Sequence, residues 1–227
     1  GIDENDRLGN QSPLDYIAAI RDIYVPLYKG CASVIIPKEY FMEPNRLFDY
    51  MNEHKVTSVG WSVSAFTVAL SLGAFEEVKL NTLKKICFSG SVMPASCLSV
   101  WQKNLPDAKF VNQYGPTEAT ASCTYYEVDH LVSQDEQLPI GRPYNNYRVF
   151  LLNEDLTETP NGEIGEICVS GPILALGYYN DPERTEKSFV VNPNYKGYPE
   201  RMYRTGDYGR IREDGLLEFH GRMDRQV

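Results

Sequence analysis

The sequence has 227 residues, of which 42% are hydrophobic and 23% are charged, and this composition is typical of a globular chain with a sizeable core, in one large or two small domains. Its 31 acidic and 22 basic residues give a formal charge of −9, which argues against a nucleic-acid-binding surface of clustered lysines and arginines. No apolar run approaches the ~20 residues of a membrane span, and the opening GIDENDRLGN does not resemble a signal peptide. We therefore expect a cytoplasmic protein that neither spans a membrane nor binds nucleic acid.

The cysteines are scattered along the chain, and no two of them have the CxxC spacing of a zinc site. Their odd number also argues against a disulfide framework. We expect buried free thiols at Cys31, Cys87, Cys97, Cys123 and Cys168.

Predicted helices and strands alternate through the first half of the chain. Ser12-Pro13 has the pattern of an N-cap followed by proline at the first helical position, so a helix is predicted from there, with Gly30 closing the unit. Apolar spacing predicts further helices over residues 44–54, 64–72 and 94–105, and strands over residues 32–36, 57–61, 85–88 and 108–111. This alternation predicts a largely parallel sheet covered by helices, and such sheets bind ligands beyond the carboxyl ends of their strands.

From about Leu138 the pattern changes to short strands separated by turns. Strands are predicted over residues 147–152, 164–170, 209–212 and 216–219, the last two joined as a hairpin by the turn signal Asp214-Gly215. One helix is predicted over residues 182–189, with Asp181 as its N-cap. We therefore expect an α/β fold in which residues 1–137 form the helix-covered sheet and residues 138–220 a smaller antiparallel, β-rich subdomain.

Several unlike chemical groups follow the strand predicted at residues 108–111. An aromatic ring, a Gly-Pro bend, a hydroxyl and a carboxylate in succession could serve a base, a phosphate and a divalent cation. The same residues are compatible with an ordinary turn, but their position after a parallel strand favours a site. The stretch is Asn112-Gln113-Tyr114-Gly115-Pro116-Thr117-Glu118-Ala119-Thr120.

Three more motifs follow YGPTEAT in order. They are GEIGEICVSGPILALGYYNDPERT at residues 162–185, YRTGD at residues 203–207 and GRMDRQV at residues 221–227. Together the four motifs resemble the adenylate-forming superfamily along nearly the whole chain. Within it, YGPTE and GRxDxQV are similar to the amino-acid adenylation domains of nonribosomal peptide synthetases and to D-alanine carrier-protein ligases. The resemblance implies the large N-terminal domain of such an enzyme, with the β-rich part as a distorted barrel and residues 221–227 as a hinge, centred on Asp224, to a C-terminal domain.

The resemblance also implies a reaction in two halves. A small carboxylic acid, an amino acid or a related acid, attacks the α-phosphorus of ATP with loss of pyrophosphate, and a carrier protein's phosphopantetheine thiol then attacks the acyl-adenylate. Coenzyme A as the acceptor, and a catalytically incomplete nucleotide-binding fragment, remain as alternatives. The family's phosphate loop is not found in residues 1–30, and the C-terminal lysine is not in the sequence. We therefore expect a fragment that does not turn over by itself.

ATP or AMP and Mg²⁺ are the ligands that the resemblance implies. Tyr114 would stack on the adenine, Thr117 would hydrogen-bond the α-phosphate and Glu118 would hold Mg²⁺. Thr117 and Glu118 are thus the expected catalytic residues. Further nucleotide contacts are expected from Asn112, Gln113, Gly115 and Pro116.

Three later residues would complete the nucleotide site. Asp207 would accept both ribose hydroxyls, Phe219 would flank the nucleotide where the family often has tyrosine, and Arg222 would approach the ribose or a phosphate. Without the resemblance, Asp207 and Arg222 would be interpreted as a surface salt bridge and Phe219 as a core residue of the hairpin.

A gap-free match of Asp22-Ile23-Tyr24 and Gly30 to the family pattern places Ile17 where amino-acid-activating members have the aspartate that pairs with the substrate's ammonium group. This departure favours a keto, hydroxy or other acid without that amine, unless Asp15 restores the role in a shifted register. Arg21 would either meet an anionic substrate group or be a solvated helix-face arginine. In this register the acid pocket is lined by Ile17, Ala18, Arg21, Ser62, Cys87, Ser89, Gln113, Ala121 and Ser122.

Overall fold

The computed structural model describes residues 1–222 as two compact units. Unit 1 comprises Gly1–Asn112 and Glu127–Leu138, and unit 2 comprises Gln113–Tyr126 and the chain from Pro139 onward. In the described part of the chain, no helix combines the length and apolar character that crossing a membrane requires. The domain boundaries expected from the sequence stay predictions.

Unit 1 is built on parallel strands in the order β2-β1-β3-β4-β5. The central strands are the most buried, and Val59 and Ile86, which are paired in register, are fully inaccessible to solvent. Only the first four residues of β5 lie in this unit. The strands are β1 (Arg7–Asn10), β2 (Ala32–Ile35), β3 (Ser58–Ser62), β4 (Lys85–Ser89) and β5 (Lys109–Tyr114).

Helices connect these strands and bury their apolar faces. Leu47, Phe48 and Met51, which the helical spacing places on one face of the second helix, are all inaccessible to solvent. Trp101 packs edge-on against Phe66 with ring centroids 4.9 Å apart. The helices are α1 (Ile20–Lys29), α2 (Pro44–Glu53), α3 (Val63–Ser71) and α4 (Ala95–Asn104), with 3₁₀ turns at Ile17–Ala19 and Lys38–Met42.

The helix predicted to begin at Ser12 is wrong at its start. The chain makes turns there, and α1 begins only at Ile20, after the 3₁₀ turn Ile17–Ala19. The apolar spacing was misleading because Leu14 is 61% exposed and packs into no core. The end of the helix is as predicted, since Gly30 caps it in the left-handed conformation with a φ of 71°.

Unit 2 contains an antiparallel sheet in the order β10-β11-β9-β8, with β12 paired to β11. Strands β6 and β7 pair antiparallel to each other and do not belong to this sheet. The strands are β6 (Thr124–Val128), β7 (Arg142–Pro143), β8 (Arg148–Leu152), β9 (Ile164–Ser170), β10 (Phe189–Val191), β11 (Arg201–Ile211) and β12 (Leu217–Arg222), with helix α5 (Pro182–Ser188) between β9 and β10.

The predicted fold class, a largely parallel helix-flanked sheet followed by an antiparallel β-rich part, is confirmed. The hairpin at Asp214-Gly215 joins β11 to β12, and the Asp181 carboxylate accepts a 3.1 Å hydrogen bond from the backbone N–H of Arg184 at the start of α5. Strands β1, β6, β7 and β10 were not predicted. Two boundaries were wrong: β11 spans 201–211 and therefore includes YRTGD, and Asn112, Gln113 and Tyr114 end strand β5 instead of belonging to a loop.

Candidate functional site

The candidate loop of unit 2 begins where β5 ends at Tyr114. A Cβ on Gly115 would lie 2.6 Å from the backbone N of Cys123 and 2.6 Å from Cα of Ser122, so the chain closes so tightly there that only glycine fits. The N–H of Cys123 donates a 2.8 Å hydrogen bond to the carbonyl of Tyr114 and so closes the loop. Within it, a 3₁₀ turn at Thr117–Ala119 leaves the Thr117 side chain exposed.

Residues of the segment that follows β9 hydrogen-bond to the same loop. The N–H of Ala175 donates to the carbonyl of Glu118 at 2.8 Å, and the Thr120 hydroxyl donates to the carbonyl of Ile173 at 2.7 Å. The first contact joins two backbone groups, and the second joins a side chain to the backbone. Each links residues more than 50 positions apart in sequence. They fix the position of Glu118 before any ligand is considered.

Four of the residues predicted for the nucleotide meet in unit 2. The Tyr114 hydroxyl donates a 2.6 Å hydrogen bond to Oδ2 of Asp207, whose Oδ1 lies 3.4 Å from Nη1 of Arg222. The rings of Tyr114 and Phe219 lie 6.2 Å apart at an interplanar angle of 41°. The cluster thus presents aromatic faces next to a carboxylate and a guanidinium.

Both alternative interpretations of this cluster are informative. Asp207 and Arg222 do form an ion pair, but Asp207 is only 5% exposed, so the pair is not a simple surface salt bridge. Phe219 does pack on the apolar cluster that includes Ile167 and Leu217, as a core residue of the hairpin would. Its ring therefore serves the core and also borders Tyr114.

The electrostatics keep Tyr114 a hydrogen-bond donor. Burial, and next the negative charge of Asp207, hold the pKa of the Tyr114 phenol well above its ordinary value of 10.0. Asp207 itself is oriented by the Thr205 hydroxyl, which accepts from the Asp207 N–H at 3.0 Å and donates to the carbonyl of Ile167 at 2.7 Å.

Two charged residues that sequence reasoning did not single out support the YRTGD segment. Arg204 donates to Oε2 of Glu166 through Nε at 2.8 Å and Nη2 at 2.5 Å, and Oε1 of Glu166 accepts the N–H of Gly206 at 3.1 Å. Gly206 has a φ of 72°, a conformation that favours glycine. The motifs could have pointed to these two residues, because Glu166 and Arg204 each lie inside a motif that carries the resemblance. Their pairing could not be predicted, because it depends on how β9 and β11 pair in the fold.

Glu118 contacts a pair of tyrosines that the sequence did not point to. The Tyr178 hydroxyl donates to Oε1 of Glu118 at 2.6 Å, and the hydroxyls of Tyr178 and Tyr203 are 3.2 Å apart. Both rings also line a pocket of about 500 Å³, together with four cationic side chains. Those cations are Arg184, Lys187, Arg204 and Arg222.

Among residues 1–222, no three His, Cys, Asp or Glu side chains are grouped so as to hold a metal ion. Among the described residues, a cation at Glu118 would therefore have at most one further ligand of these four types. Mg²⁺ is commonly held in this manner, by one or two carboxylates with phosphate oxygens and water as the other ligands. The half-buried carboxylate of Glu118, with one oxygen engaged by Tyr178, fits such a role.

In unit 1, several residues predicted for the acid pocket lie at the carboxyl ends of neighbouring parallel strands. Ser62 and Ser89 are opposite each other at the ends of β3 and β4, and Cys87 is opposite Gly60. Ile17 and Ala18 lie in the 3₁₀ turn before α1. Asn112, in the same unit, is buried and pairs with Phe88.

Arg21 is not a solvated helix-face residue, so that alternative is wrong. Its side chain is 18% exposed, its Nη1 lies 2.7 Å from Oδ1 of Asp22, and its Nη2 donates to the hydroxyl of Ser58. A Cβ on Gly60 would be 3.0 Å from Arg21 Cδ, so the guanidinium arm lies directly on β3. Sequence reasoning missed the partners because consecutive charged residues on a helix ordinarily diverge.

Asp22 is the buried member of this network. It is 2% exposed and accepts a 3.3 Å hydrogen bond from Asn10 Nδ2. Burial raises the pKa of its carboxyl above the ordinary 3.8, although the charge of Arg21 opposes the shift. Burial likewise raises the pKa of the Cys87 thiol.

The remaining predicted residues are placed as follows. Gln113 Nε2 donates a 2.5 Å hydrogen bond to the Tyr144 hydroxyl, and Ala121 and Ser122 lie, half-buried, just before β6 in unit 2. Pro116 precedes the 3₁₀ turn of the loop in an extended conformation. Asp224, the predicted hinge, lies outside the described residues.

Comparison with known proteins agrees with the motifs. A family profile described as "AMP-binding enzyme" matches residues 1–179. The chain is 31% identical over 227 residues to tyrocidine synthase 1 of Brevibacillus parabrevis, and 34% identical over 219 residues to D-alanine–D-alanyl carrier protein ligase of Bacillus cereus (strain G9842). A solved structure of the nonribosomal peptide synthetase FmoA3, in a form bound to α-methyl-L-serine-AMP, matches 99% of this chain with a TM-score of 0.89 at 32% identity.

These relatives are longer than the chain. The match covers all of this chain but 20% of tyrocidine synthase 1, and 96% of this chain but 42% of the carrier protein ligase. It covers 25% of the FmoA3 chain.

Proposed function

Because the chain belongs to the family of AMP-binding enzymes, we propose that it is part of an ATP-dependent ligase that activates a small carboxylic acid as its acyl-adenylate. The observation that carries the proposal is the cluster of Tyr114, Asp207, Phe219 and Arg222 in unit 2, formed by residues that are remote in sequence. It offers an aromatic face for a base and a carboxylate for ribose hydroxyls.

The proposed chemistry depends on charge stabilisation and needs no protein nucleophile. The substrate carboxylate attacks the α-phosphorus of ATP and pyrophosphate leaves. Thr117 is exposed and free to present its hydroxyl to the α-phosphate, and Arg222 is placed with a fixed fork of donors at the Asp207 end of the site. Donors aimed at developing negative charge lower the barrier of such a displacement.

Glu118 is the proposed Mg²⁺ ligand. Mg²⁺ bound there with the nucleotide would neutralise phosphate charge as it develops. The support is the half-buried carboxylate and its fixed backbone, since Mg²⁺ accepts one or two protein carboxylates when phosphates and water complete its shell.

The proposed acceptor is the phosphopantetheine thiol of a carrier protein. It is supported by the names of the relatives, which include a peptide synthase and a carrier protein ligase. Coenzyme A as acceptor is the second candidate. A cytoplasmic location is part of the proposal, because the cysteines of the described chain are free thiols, as is usual in a reducing compartment.

The proposed substrate is a small carboxylic acid, with Ile17 at the position where amino-acid-activating members have an aspartate. In this chain the nearby cation Arg21 is already paired with Asp22, so an anionic substrate group would have to compete with a 2.7 Å ion pair. Because Ile17 has no charge to pair with an α-ammonium group, an acid without that group is the first choice in the test, and α-amino acids are the alternative.

The test is ATP–pyrophosphate exchange by the polypeptide that contains this chain, over a panel of α-keto, α-hydroxy, D-amino and L-amino acids. We expect exchange that depends on one acid class and that falls at least about 10-fold in Asp207→Asn, because hydrogen bonds to a charged group contribute ~1.5–3 kcal/mol. Asp214→Asn, at the exposed hairpin turn, is the matched control. Exchange that ignores the acid supplied, or an unchanged Asp207→Asn variant, would contradict the proposal.

A further inference from the structure

We infer that Tyr178 is a positioning residue for Glu118, and that its hydroxyl holds the carboxylate in the orientation in which it meets the metal ion. The inference rests on the proposed function, in which Glu118 is the Mg²⁺ ligand. It assigns a role to the segment GYYND at residues 177–181. This segment is part of a motif that carries the family resemblance, but the resemblance implies no chemical role for it.

The contact between Tyr178 and Glu118 is direct. The Tyr178 hydroxyl donates to Oε1 of Glu118 at 2.6 Å, which is short for a hydrogen bond to a carboxylate. The Tyr203 hydroxyl lies 3.2 Å from the Tyr178 hydroxyl and is 5% exposed as a residue, so it supports the pair from the protein side. The Tyr203 hydroxyl also interacts with the Glu118 carboxylate, so the two phenols together fix its orientation.

Tyr178 is itself held at several points. Its backbone N–H donates to the Thr185 hydroxyl at 2.9 Å, and that hydroxyl donates to the carbonyl of Asp181 at 2.8 Å. The guanidinium of Arg184 lies over its ring, with Cζ 4.0 Å from the ring centroid. The ring also packs edge-on against Phe189, with the two centroids 5.8 Å apart. A side chain held at its backbone, its ring and its hydroxyl has little freedom left to lose, which is what a positioning role requires.

The backbone of Glu118 is held by the same segment as its side chain. The segment that carries Tyr178 also donates its Ala175 N–H to the carbonyl of Glu118 at 2.8 Å. The main chain and the side chain of Glu118 are therefore both fixed by residues 175–178. Hydrogen bonds to metal-ligating carboxylates are a recurring design, and losing one typically costs about 10- to 100-fold in metal affinity or activity.

Two adjacent tyrosines provide a matched pair of variants. Tyr178→Phe deletes the hydroxyl that contacts Glu118, and Tyr179→Phe deletes the hydroxyl of a residue that is 101% exposed. The first measurement is calorimetric binding of ATP at a series of Mg²⁺ concentrations, which gives an apparent Mg²⁺ affinity. The second is AMP binding without metal, and the third is thermal unfolding.

We expect Tyr178→Phe to weaken the apparent Mg²⁺ affinity about 10-fold while AMP binding without metal stays within about 2-fold of the parent. Tyr179→Phe should match the parent in both. A structural role alone would lower AMP binding and the unfolding temperature together, without a selective effect on the metal. Equal Mg²⁺ affinities for Tyr178→Phe and Tyr179→Phe would overturn the inference.

Glu118→Gln separates this inference from the function on which it rests. If Glu118→Gln leaves the Mg²⁺ dependence of ATP binding unchanged, Glu118 is not the ligand, and both the metal role and the inference fall. If Glu118→Gln weakens it and Tyr178→Phe does not, only the inference falls. Should Tyr178→Phe not fold, Tyr203→Phe keeps the test open, because loss of the supporting hydroxyl should weaken Mg²⁺ affinity in the same direction but less, and no change would overturn the inference.

Discussion

The Tyr114 hydroxyl donates a 2.6 Å hydrogen bond to Oδ2 of Asp207, although 93 residues separate the two in sequence. The ring proposed to stack on a base is thus tied to the carboxylate proposed to accept a ribose. A base and its sugar are also covalently joined, so the proposed site needs its two groups held side by side, as this hydrogen bond holds them.

Substitutions of Tyr114 should separate stacking from hydrogen bonding. We expect Tyr114→Ala to weaken AMP binding by at least about 10-fold, since stacking of a base on an aromatic side chain contributes ~1–3 kcal/mol. Tyr114→Phe should weaken it by less than about 3-fold, because the ring remains. Calorimetry with AMP measures both, and equal losses in the two variants would show that the hydroxyl, not the ring, carries the affinity.

Gly115 should not tolerate a side chain. A Cβ there would meet backbone atoms of Ser122 and Cys123 at 2.6 Å, and backbone cannot move aside cheaply. We expect Gly115→Ala to lower the free energy of unfolding by about 1–3 kcal/mol, the usual cost of forcing extra atoms into a filled space. Urea titration measures it, and Gly1→Ala, where nothing lies within 4 Å of the added carbon, is the control. A fully stable Gly115→Ala protein would show that the loop is looser than its geometry indicates.

The ion pair of Arg21 and Asp22 should contribute far more than an exposed pair. Asp22→Asn leaves a guanidinium that is 18% exposed without its carboxylate, and we expect a loss of about 3 kcal/mol of unfolding free energy. Glu43→Gln breaks the pair with Arg46, whose members are each 56% exposed, and should cost less than about 1 kcal/mol. Urea unfolding of both variants gives the comparison, and similar small losses would mean that water reaches Arg21 freely.

His130 should make the stability of unit 1 depend on pH. Hydrogen bonds to Glu136 at 2.7 Å and to Asp129, with burial opposing them, raise the pKa of His130 above its ordinary 6.5. A histidine whose folded pKa is raised stabilises the folded state below the unfolded pKa, and this contribution is lost as the pH rises through the folded pKa.

Replacing His130 by Gln should therefore remove a fall in unfolding free energy that the parent shows as the pH rises above 6.5. The effect is less than about 1 kcal/mol, because the side chain is 42% exposed and the pair is screened by water. Urea titrations on both sides of that pH measure it. His54→Gln, at a ring that stacks on Tyr50, is the control and should keep the pH dependence.

Local patterns were sufficient for much of the fold. The spacing of Leu47, Phe48 and Met51 predicted a buried helix face, and Asp214-Gly215 predicted a hairpin, because both depend on neighbours in sequence. Strand β1 escaped prediction since its burial comes from elsewhere: a Cβ on Gly9 would lie 2.9 Å from Val56 and 3.1 Å from Ile36. No periodicity within four residues reveals such contacts.

The candidate site likewise contains residues that the sequence points to and residues that only the fold reveals. Residue types and the motif resemblance identified Tyr114, Asp207 and Arg222, whose chemistry is evident from the side chain alone. Tyr178 and Tyr179 are adjacent and chemically identical, yet the first is hydrogen-bonded to Glu118 and the second is fully exposed. Only the path of the chain after β9 decides which of them reaches the carboxylate.

Strand β11 carries both Tyr203, next to the proposed metal carboxylate, and Asp207, the proposed ribose ligand. Four residues at a rise of ~3.3 Å put them about 13 Å apart along one continuous strand, less where the register shifts between Arg204 and Tyr208. Backbone hydrogen bonds of the strand thus set the distance between the two proposed contacts. Deleting a single residue between Tyr203 and Asp207 would therefore disturb the proposed metal and sugar contacts at once.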